Sequence, residues 1–207
     1  MKYFLALFGL FIVVSTQAQQ VEHIPRLVLE KKDKEVFNRG DSSLVLKIDT
    51  LVMHDRSKLE FFGKKDVKLE IGYAEIGENV LITGQDGKNN ATDFDIDVHF
   101  GELGSLSVIA RGIDAFNGTK THPNGDGGTV NIRYANQGIV PQTEDKKSPH
   151  YLNVDVKPGG LRVNPNSEIN QIYGRISLSS PGLRGLPQGQ IYSGSPGKEG
   201  TVSLQAK

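Results

Sequence analysis

Three carboxylates in alternate positions are the strongest candidates for chemistry in this chain of 207 residues. Asp93, Asp95 and Asp97 are separated by Phe94 and Ile96, and residues two apart in a strand share a face. The carboxylates would then point outwards while the two apolar side chains point into a core. Carboxylates this close need a positive partner. Calcium is one solution, because hard cations bind clustered carboxylate oxygens.

Asp86, on the loop before this predicted strand, could complete a calcium site with the three carboxylates. The spacing, however, matches no calcium-coordination loop. The competing interpretation is a solvated face whose carboxylates pair with cations on neighbouring strands, and Lys68 and Arg133 lie at suitable positions. We therefore predict ion pairing and no cofactor, with a calcium site as the alternative.

Signatures of catalysis are missing from the sequence. The five histidines are scattered, Cys is absent, and no phosphate-binding, dinucleotide-binding or serine-hydrolase motif occurs. A glycoside hydrolase needs two carboxylates across a cleft. Only Asp95 and Asp97 lie together, with Arg133 as a nearby base. These residues specify no reaction, so the expectation is a non-catalytic protein.

Aromatic side chains suggest a second kind of binding site. A carbohydrate-binding module would expose aromatic rings on one face, and Tyr134, Tyr151 and Tyr173 are the candidates. The chain has 24 basic and 24 acidic residues, so it lacks the basic excess with which nucleic-acid binders neutralise phosphates. The expected partners are therefore glycans or other envelope proteins, and not nucleic acid.

The first twenty residues indicate export. Lys2 precedes an apolar run at residues 4–14, which a short polar stretch and Ala18 follow, as in a secretory signal peptide. A transmembrane helix needs about 20 apolar residues, and no other run approaches that length. We expect cleavage after Ala18 and a protein that is periplasmic, secreted or peripherally attached at the cell surface, without a transmembrane span.

The elements that position these side chains follow a period of two, which is typical of strands with one buried face. The alternating apolar groups include Leu44/Leu46/Ile48, Val67/Leu69/Ile71 and Phe94/Ile96/Val98. A longer period is superimposed, because apolar pairs recur every 21–26 residues from Leu59/Phe61 to Val202/Leu204. A repeat of this length indicates a solenoid.

Three apolar groups occur in each early period. One period reads Leu44/Leu46/Ile48, Leu51/Met53 and Leu59/Phe61. Three short strands per turn, with Gly at the corners, predict the rung of a right-handed parallel β-helix, whose stacked rungs share one core. The segment at residues 74–82 is the most typical, and residues 44–180 resemble parallel β-helix proteins of the pectin-lyase-like class. The resemblance implies an all-β fold, and we predict about six rungs.

This architecture divides the chain into four parts. We predict a signal peptide at residues 1–18, a capping segment at 19–43, a solenoid at 44–178 with a projecting loop at 113–129, and a Gly/Pro-rich tail with a terminal strand at 179–207. Glycines in the tail fall three apart as in collagen, but the run is too short for a triple helix. An antiparallel β-sandwich with Gly turns is the alternative fold.

Export and a solenoid together indicate a structural or interaction protein of the cell envelope. Solenoids present flat ladders of outward side chains, which suit extended partners such as glycans or other envelope proteins. A carbohydrate-binding module and a polysaccharide-active β-helix enzyme are the alternative functions, because a fold alone does not determine function.

Overall fold

The computed structural model describes residues 20–115, 122–161 and 195–207. Eleven strands and no helix occur in these ranges, which confirms the predicted all-β class. In chain order the strands are β1 (Gln20–Leu29), β2 (Lys34–Phe37), β3 (Ser43–Met53), β4 (Lys58–Phe62), β5 (Asp66–Ile76), β6 (Val80–Gln85), β7 (Asp93–Leu103), β8 (Ser105–Ile109), β9 (Thr129–Tyr134), β10 (Tyr151–Asp155) and β11 (Thr201–Ala206).

Four predicted features fall outside these ranges, wholly or in part. The signal peptide at residues 1–18 lies outside the described residues, as do residues 116–121 of the predicted loop, residues 162–178 of the predicted solenoid and residues 179–194 of the predicted tail. No helix in the described part of the chain is long and apolar enough to cross a membrane.

The strands form two sheets in which all named strands pair in parallel. Sheet A has the order β1-β3-β5-β7-β9-β11 and sheet B has the order β10-β8-β6-β4-β2. Successive turns of the chain therefore add one strand to each sheet and stack on the turn before. This is the predicted parallel β-helix, and parallel pairing throughout excludes the antiparallel sandwich.

The register of sheet A aligns apolar residues into continuous buried rows. Leu44, Val67, Phe94 and Val130 occupy one row and are at most 2% exposed. A second buried row contains Leu46, Leu69, Ile96 and Ile132. Full burial of such a side chain contributes about 1.5–3 kcal/mol. The core therefore depends on stacking, because no single turn can cover its own inward residues.

Each turn contains two strands, which corrects the prediction of three. The sheet A strand β3 is 11 residues long and includes the first two predicted apolar groups. Between these groups, Asp49 and Thr50 are not buried, so the inward positions Ile48 and Leu51 are three apart instead of two. Pairing with β1 and β5 continues through Thr50, so the strand bends without ending. The strands make five pairs, β1/β2 to β9/β10, followed by β11, against a prediction of about six rungs.

The amino-terminal edge of sheet A carries residues that oppose further stacking. The segment predicted as a cap contains β1 and β2, which are the edge strands of the two sheets. In β1, Glu22 holds the position aligned with the buried Leu46, and Pro25 supplies no N–H to the edge. A polar residue at the end of a core row and a proline in an edge strand both oppose further stacking.

Closely packed glycine segments lie at one corner of the solenoid. The N–H of Gly125 donates to Ile113 O, Gly159 donates to Gly125 O and Gly197 donates to Gly159 O, at 2.9, 2.9 and 3.1 Å. A Cβ atom built on Gly125 or Gly197 would lie 1.6 or 2.1 Å from backbone atoms of a neighbouring segment. The glycines of residues 195–200 therefore serve close packing within one chain.

Amide and carboxylate side chains fasten these glycine segments together. Asn124 donates from Nδ2 to Ser195 O at 2.8 Å, and Asp126 Oδ1 accepts from Lys198 N at 2.7 Å. The part of the predicted loop that the structure describes, residues 122–129, is thus attached to the segment that leads into β11.

Replacement of Gly125 by Ala tests the role of the glycine corner. We expect Gly125→Ala to lower the free energy of unfolding by at least about 3 kcal/mol, the upper end of the range for overpacking, because the backbone of Asn89 occupies the space of the new methyl group. The control is Gly87→Ala, where φ is +79° and the new Cβ atom would lie 3.9 Å from its nearest neighbour, Gly63 Cα; there the strained backbone alone should cost about 1–2 kcal/mol. Chemical denaturation measures both, and an equal or smaller loss for Gly125→Ala would contradict the packing argument.

Candidate functional site

The three predicted carboxylates lie together on the outer face of β7. Asp93, Asp95 and Asp97 alternate with Phe94 and Ile96, which are 1% and 3% exposed in the core. The period of two in the sequence therefore assigned each side chain to the correct face. The neighbouring strands β5 and β9 determine which groups the carboxylates meet.

Two of these carboxylates form ion pairs with cations that lie later in the chain. Arg133 on β9 places Nη2 2.7 Å from Asp95 Oδ1 and Nε 3.9 Å from Asp97 Oδ2. The shorter contact is an ion pair and not an aligned hydrogen bond, since Asp95 Oδ1 accepts no hydrogen bond. Lys207 Nζ also contacts Asp97 Oδ2. Ion pairing is thereby confirmed for Asp95 and Asp97, with Arg133 as one of the predicted partners.

Lys68, the other predicted partner, has a different closest carboxylate. It lies opposite Asp95 in the register, but its Nζ is 2.7 Å from Glu70 Oε1 on its own strand. Lys47 approaches the same carboxylate at 3.0 Å. Hydrogen bonds from Lys68 and Lys47 lower the pKa of the Glu70 carboxyl, and Glu70 in turn raises the pKa of Lys68.

An open groove of about 240 Å³ lies across β5, β7 and β9 at the same face. Two carboxylates in it have no cation among their described contacts: Asp66 accepts from Ser43 Oγ at 3.2 Å and Asp93 accepts from Thr129 N at 2.6 Å. The groove could therefore accept hydrogen bonds from hydroxyl or amino groups of a ligand. Its lining consists of Asp66, Val67, Lys68, Asp93, Phe94, Asp95, Thr129 and Asn131.

Asp86 is engaged within its own loop. Its Oδ1 accepts from Lys88 N at 2.6 Å and from Asn90 N at 3.1 Å, and its Oδ2 accepts from Asn90 Nδ2 at 2.9 Å. Among the described residues, no group of three or more His, Asp or Glu side chains is placed to hold a metal ion. The calcium site with Asp86 thus remains a prediction without a ligand cluster to support it.

The two predicted aromatic residues that the structure describes lie on different sheets. Tyr134 ends β9 in sheet A, where it is partly buried and packed against the core. Tyr151 begins β10 in sheet B and is also partly buried. Tyr173 lies outside the described residues.

A different aromatic pair lies on sheet A. Tyr73 is 39% exposed, and its ring centroid is 5.8 Å from that of His99 in an edge-to-face arrangement. A Cβ atom on Gly101 would lie 2.1 Å from the Tyr73 ring, so the glycine lets the ring lie close to β7. The register of β5 and β7 shifts next to Tyr73, between Ile71 and Ala74. The Gly72-Tyr73 sequence was the available signal, because Gly within a strand often marks a bulge.

Lys64 is a buried cation that was not predicted from the sequence. It is 1% exposed, and its Nζ donates to Arg39 O at 2.6 Å and to Asp41 O at 2.5 Å. Its described partners are therefore carbonyl groups of the turn between β2 and β3. This arrangement assigns Lys64 to the architecture of that turn, since buried ammonium groups need hydrogen-bond partners.

No known protein family, curated protein or solved structure gives a significant match to this chain. The candidate site is therefore interpreted from its own geometry.

The Glu70 cluster gives the fold a pH dependence with a definite sign. The pKa of Glu70 is lowered from 4.5 in the folded chain, so its charge stabilises the fold above pH 4.5, and this contribution is lost as the pH falls through the folded pKa. We expect the difference in free energy of unfolding between wild type and Glu70→Gln to be largest at neutral pH and to vanish in stronger acid. Denaturation at a series of pH values measures it. A difference that is unchanged in acid, or insensitive to about 1 M salt, would contradict this account.

Removal of divalent cations tests the calcium alternative. Because Arg133 and Lys207 already pair with Asp95 and Asp97, we expect the melting temperature to be the same with excess chelator and with excess calcium. A calcium ion bound only by the folded chain would raise the melting temperature with concentration. Such a rise, if Asp95→Asn abolished it, would establish the calcium site.

Proposed function

We propose that this chain is an exported, non-catalytic interaction protein of the cell envelope, which binds an extended partner along the outer face of sheet A. The observation that carries the proposal is the ladder of polar and ionic side chains on that face. Lys47, Glu70, Asp97 and Arg133 form one row across four consecutive strands, which repeat about every 4.8 Å in a sheet. A partner with regularly spaced polar groups can match such a row.

The environment of the carboxylates supports binding over catalysis. Asp95 and Asp97 lie on one strand and face the same way, whereas hydrolysis of a glycoside needs carboxyl groups on both sides of the bond to be cleaved. Both also form ion pairs with Arg133. A polysaccharide-active enzyme is therefore the weaker alternative.

The aromatic pair favours a glycan as the extended partner. Tyr73 exposes part of its ring on the same sheet as the groove, beside His99. An exposed ring with an imidazole beside it offers the apolar and polar contacts that a sugar ring presents together. A protein of the envelope is the other partner class, and the export inference comes from the apolar run at residues 4–14.

Retention on immobilised envelope polysaccharide, with envelope protein as a parallel sample, tests the proposal. We expect the wild type to bind the polysaccharide and Tyr73→Ala to bind about tenfold more weakly, which corresponds to one contact of about 1.4 kcal/mol. Tyr151→Ala, on sheet B, is the matched control and should bind like the wild type. Retention that Tyr73→Ala leaves intact would contradict the glycan assignment. Depolymerisation of the polysaccharide by the wild type would contradict the non-catalytic assignment.

A further inference from the structure

The buried rows of sheet A end on the C-terminal strand at the exposed Val202 and the partly buried Leu204. Val202 of β11 continues the row that runs through Val130, and Leu204 continues the row that runs through Ile132. Val130 and Ile132 are 0% and 2% exposed, but Val202 is 49% exposed. Among the described residues, no further strand covers the core beyond β11, in contrast to the other end, where a row terminates on a glutamate.

In the part of the chain that the structure describes, sheet B does not extend as far as β11. Its last described strand, β10, pairs with β8. At its other edge Leu152 N donates to Gln142 O at 2.8 Å, and just beyond its end Gly200 N donates to Val156 O at 3.0 Å. Among the described residues, β11 pairs with β9 alone. An uncharged edge strand without proline is a site for pairing with another chain, and residues 201–206 contain neither charge nor proline.

The backbone direction of β11 limits how another strand can pair with it. Lys207 N donates to Tyr134 O at 2.9 Å, so the odd-numbered residues face β9. In a strand the hydrogen-bonding groups alternate in direction, so Val202, Leu204 and Ala206 direct their N–H and C=O groups to the free edge. These are also the residues whose side chains continue the core rows.

We propose that two copies of this chain associate edge to edge through antiparallel β11 strands, about a two-fold axis at Ser203. In this register Val202 lies opposite Leu204 of the second copy, so that both inward rows continue into the partner and the edge-facing groups can exchange hydrogen bonds. Residues four positions from the axis also meet, which places Glu199 opposite Lys207 of the second copy; Lys207 would exchange its contact with Asp97 for this one, and Asp97 would keep Arg133. The two-fold axis generates this ion pair between Glu199 and Lys207 twice. The contact is therefore self-complementary, as a two-fold interface requires.

Sedimentation velocity of the chain from residue 19 onwards, over a range of concentrations, tests the proposal. We expect the mass of two chains, falling to one on dilution, and we expect Val202→Lys to give one chain throughout. Val21→Lys is the matched control, because Val21 is likewise exposed but lies on β1 at the opposite end; it should leave the dimer intact. Circular dichroism checks that each variant remains folded.

The charged pair gives a second test that leaves the apolar residues in place. Glu199→Lys should raise the dissociation constant of the dimer several-fold, and Glu199→Gln, which removes the charge without reversing it, should raise it less. A wild type that stays monomeric at every concentration overturns the proposal. So does a dimer that folded Val202→Lys and Glu199→Lys variants both preserve, or one that Val21→Lys disrupts.

Discussion

Alignment of apolar side chains between parallel strands is the interaction on which the rest of this structure depends. Leu44, Val67, Phe94 and Val130 bury one another only because the main-chain ladder holds successive turns in register. The chain contains no Cys, so no disulfide reinforces the stack. The same register fixes the outward residues, and the order of charges on the surface is therefore determined by the packing of the interior.

The apolar core holds the row of charged side chains on the outer face of sheet A in place. That row contributes little to the stability of the fold in return. Its ion pairs are partly exposed: the side chains of Arg133 and Asp95 are 33% and 38% accessible. Pairs of this kind contribute little to stability, because solvent screens the attraction and two side chains lose freedom. Their contacts can consequently be exchanged for contacts with a partner at small energetic loss, while the strands beneath keep the spacing constant. A surface used for recognition benefits from both properties.

The sequence correctly predicted the features that follow from its alternating and repeating apolar residues. It did not predict how residues on separate strands lie relative to one another. Alternation placed Asp93, Asp95 and Asp97 outside, and the repeat predicted parallel stacking. The bend at Asp49-Thr50 carries no proline or glycine, so nothing local distinguishes one bent strand from two short ones. Whether Tyr134 and Tyr151 share a face depends on which sheet each joins, and the pair of Tyr73 and His99 depends on a register shift. Both are properties of the assembled sheets and not of any single segment.

The glycine corner also constrains the order of folding. Most neighbouring strands of sheet A are separated by about two dozen residues, whereas Asp126 and Lys198, which join the corner to the last strand, are 72 residues apart. Closing a longer loop carries a larger entropic penalty, and distant contacts form slowly. The close backbone contacts of Gly125 and Gly197 require their neighbours to be in position beforehand. We therefore expect folding of the solenoid to be complete only once residues 195–200 have packed against the glycine corner.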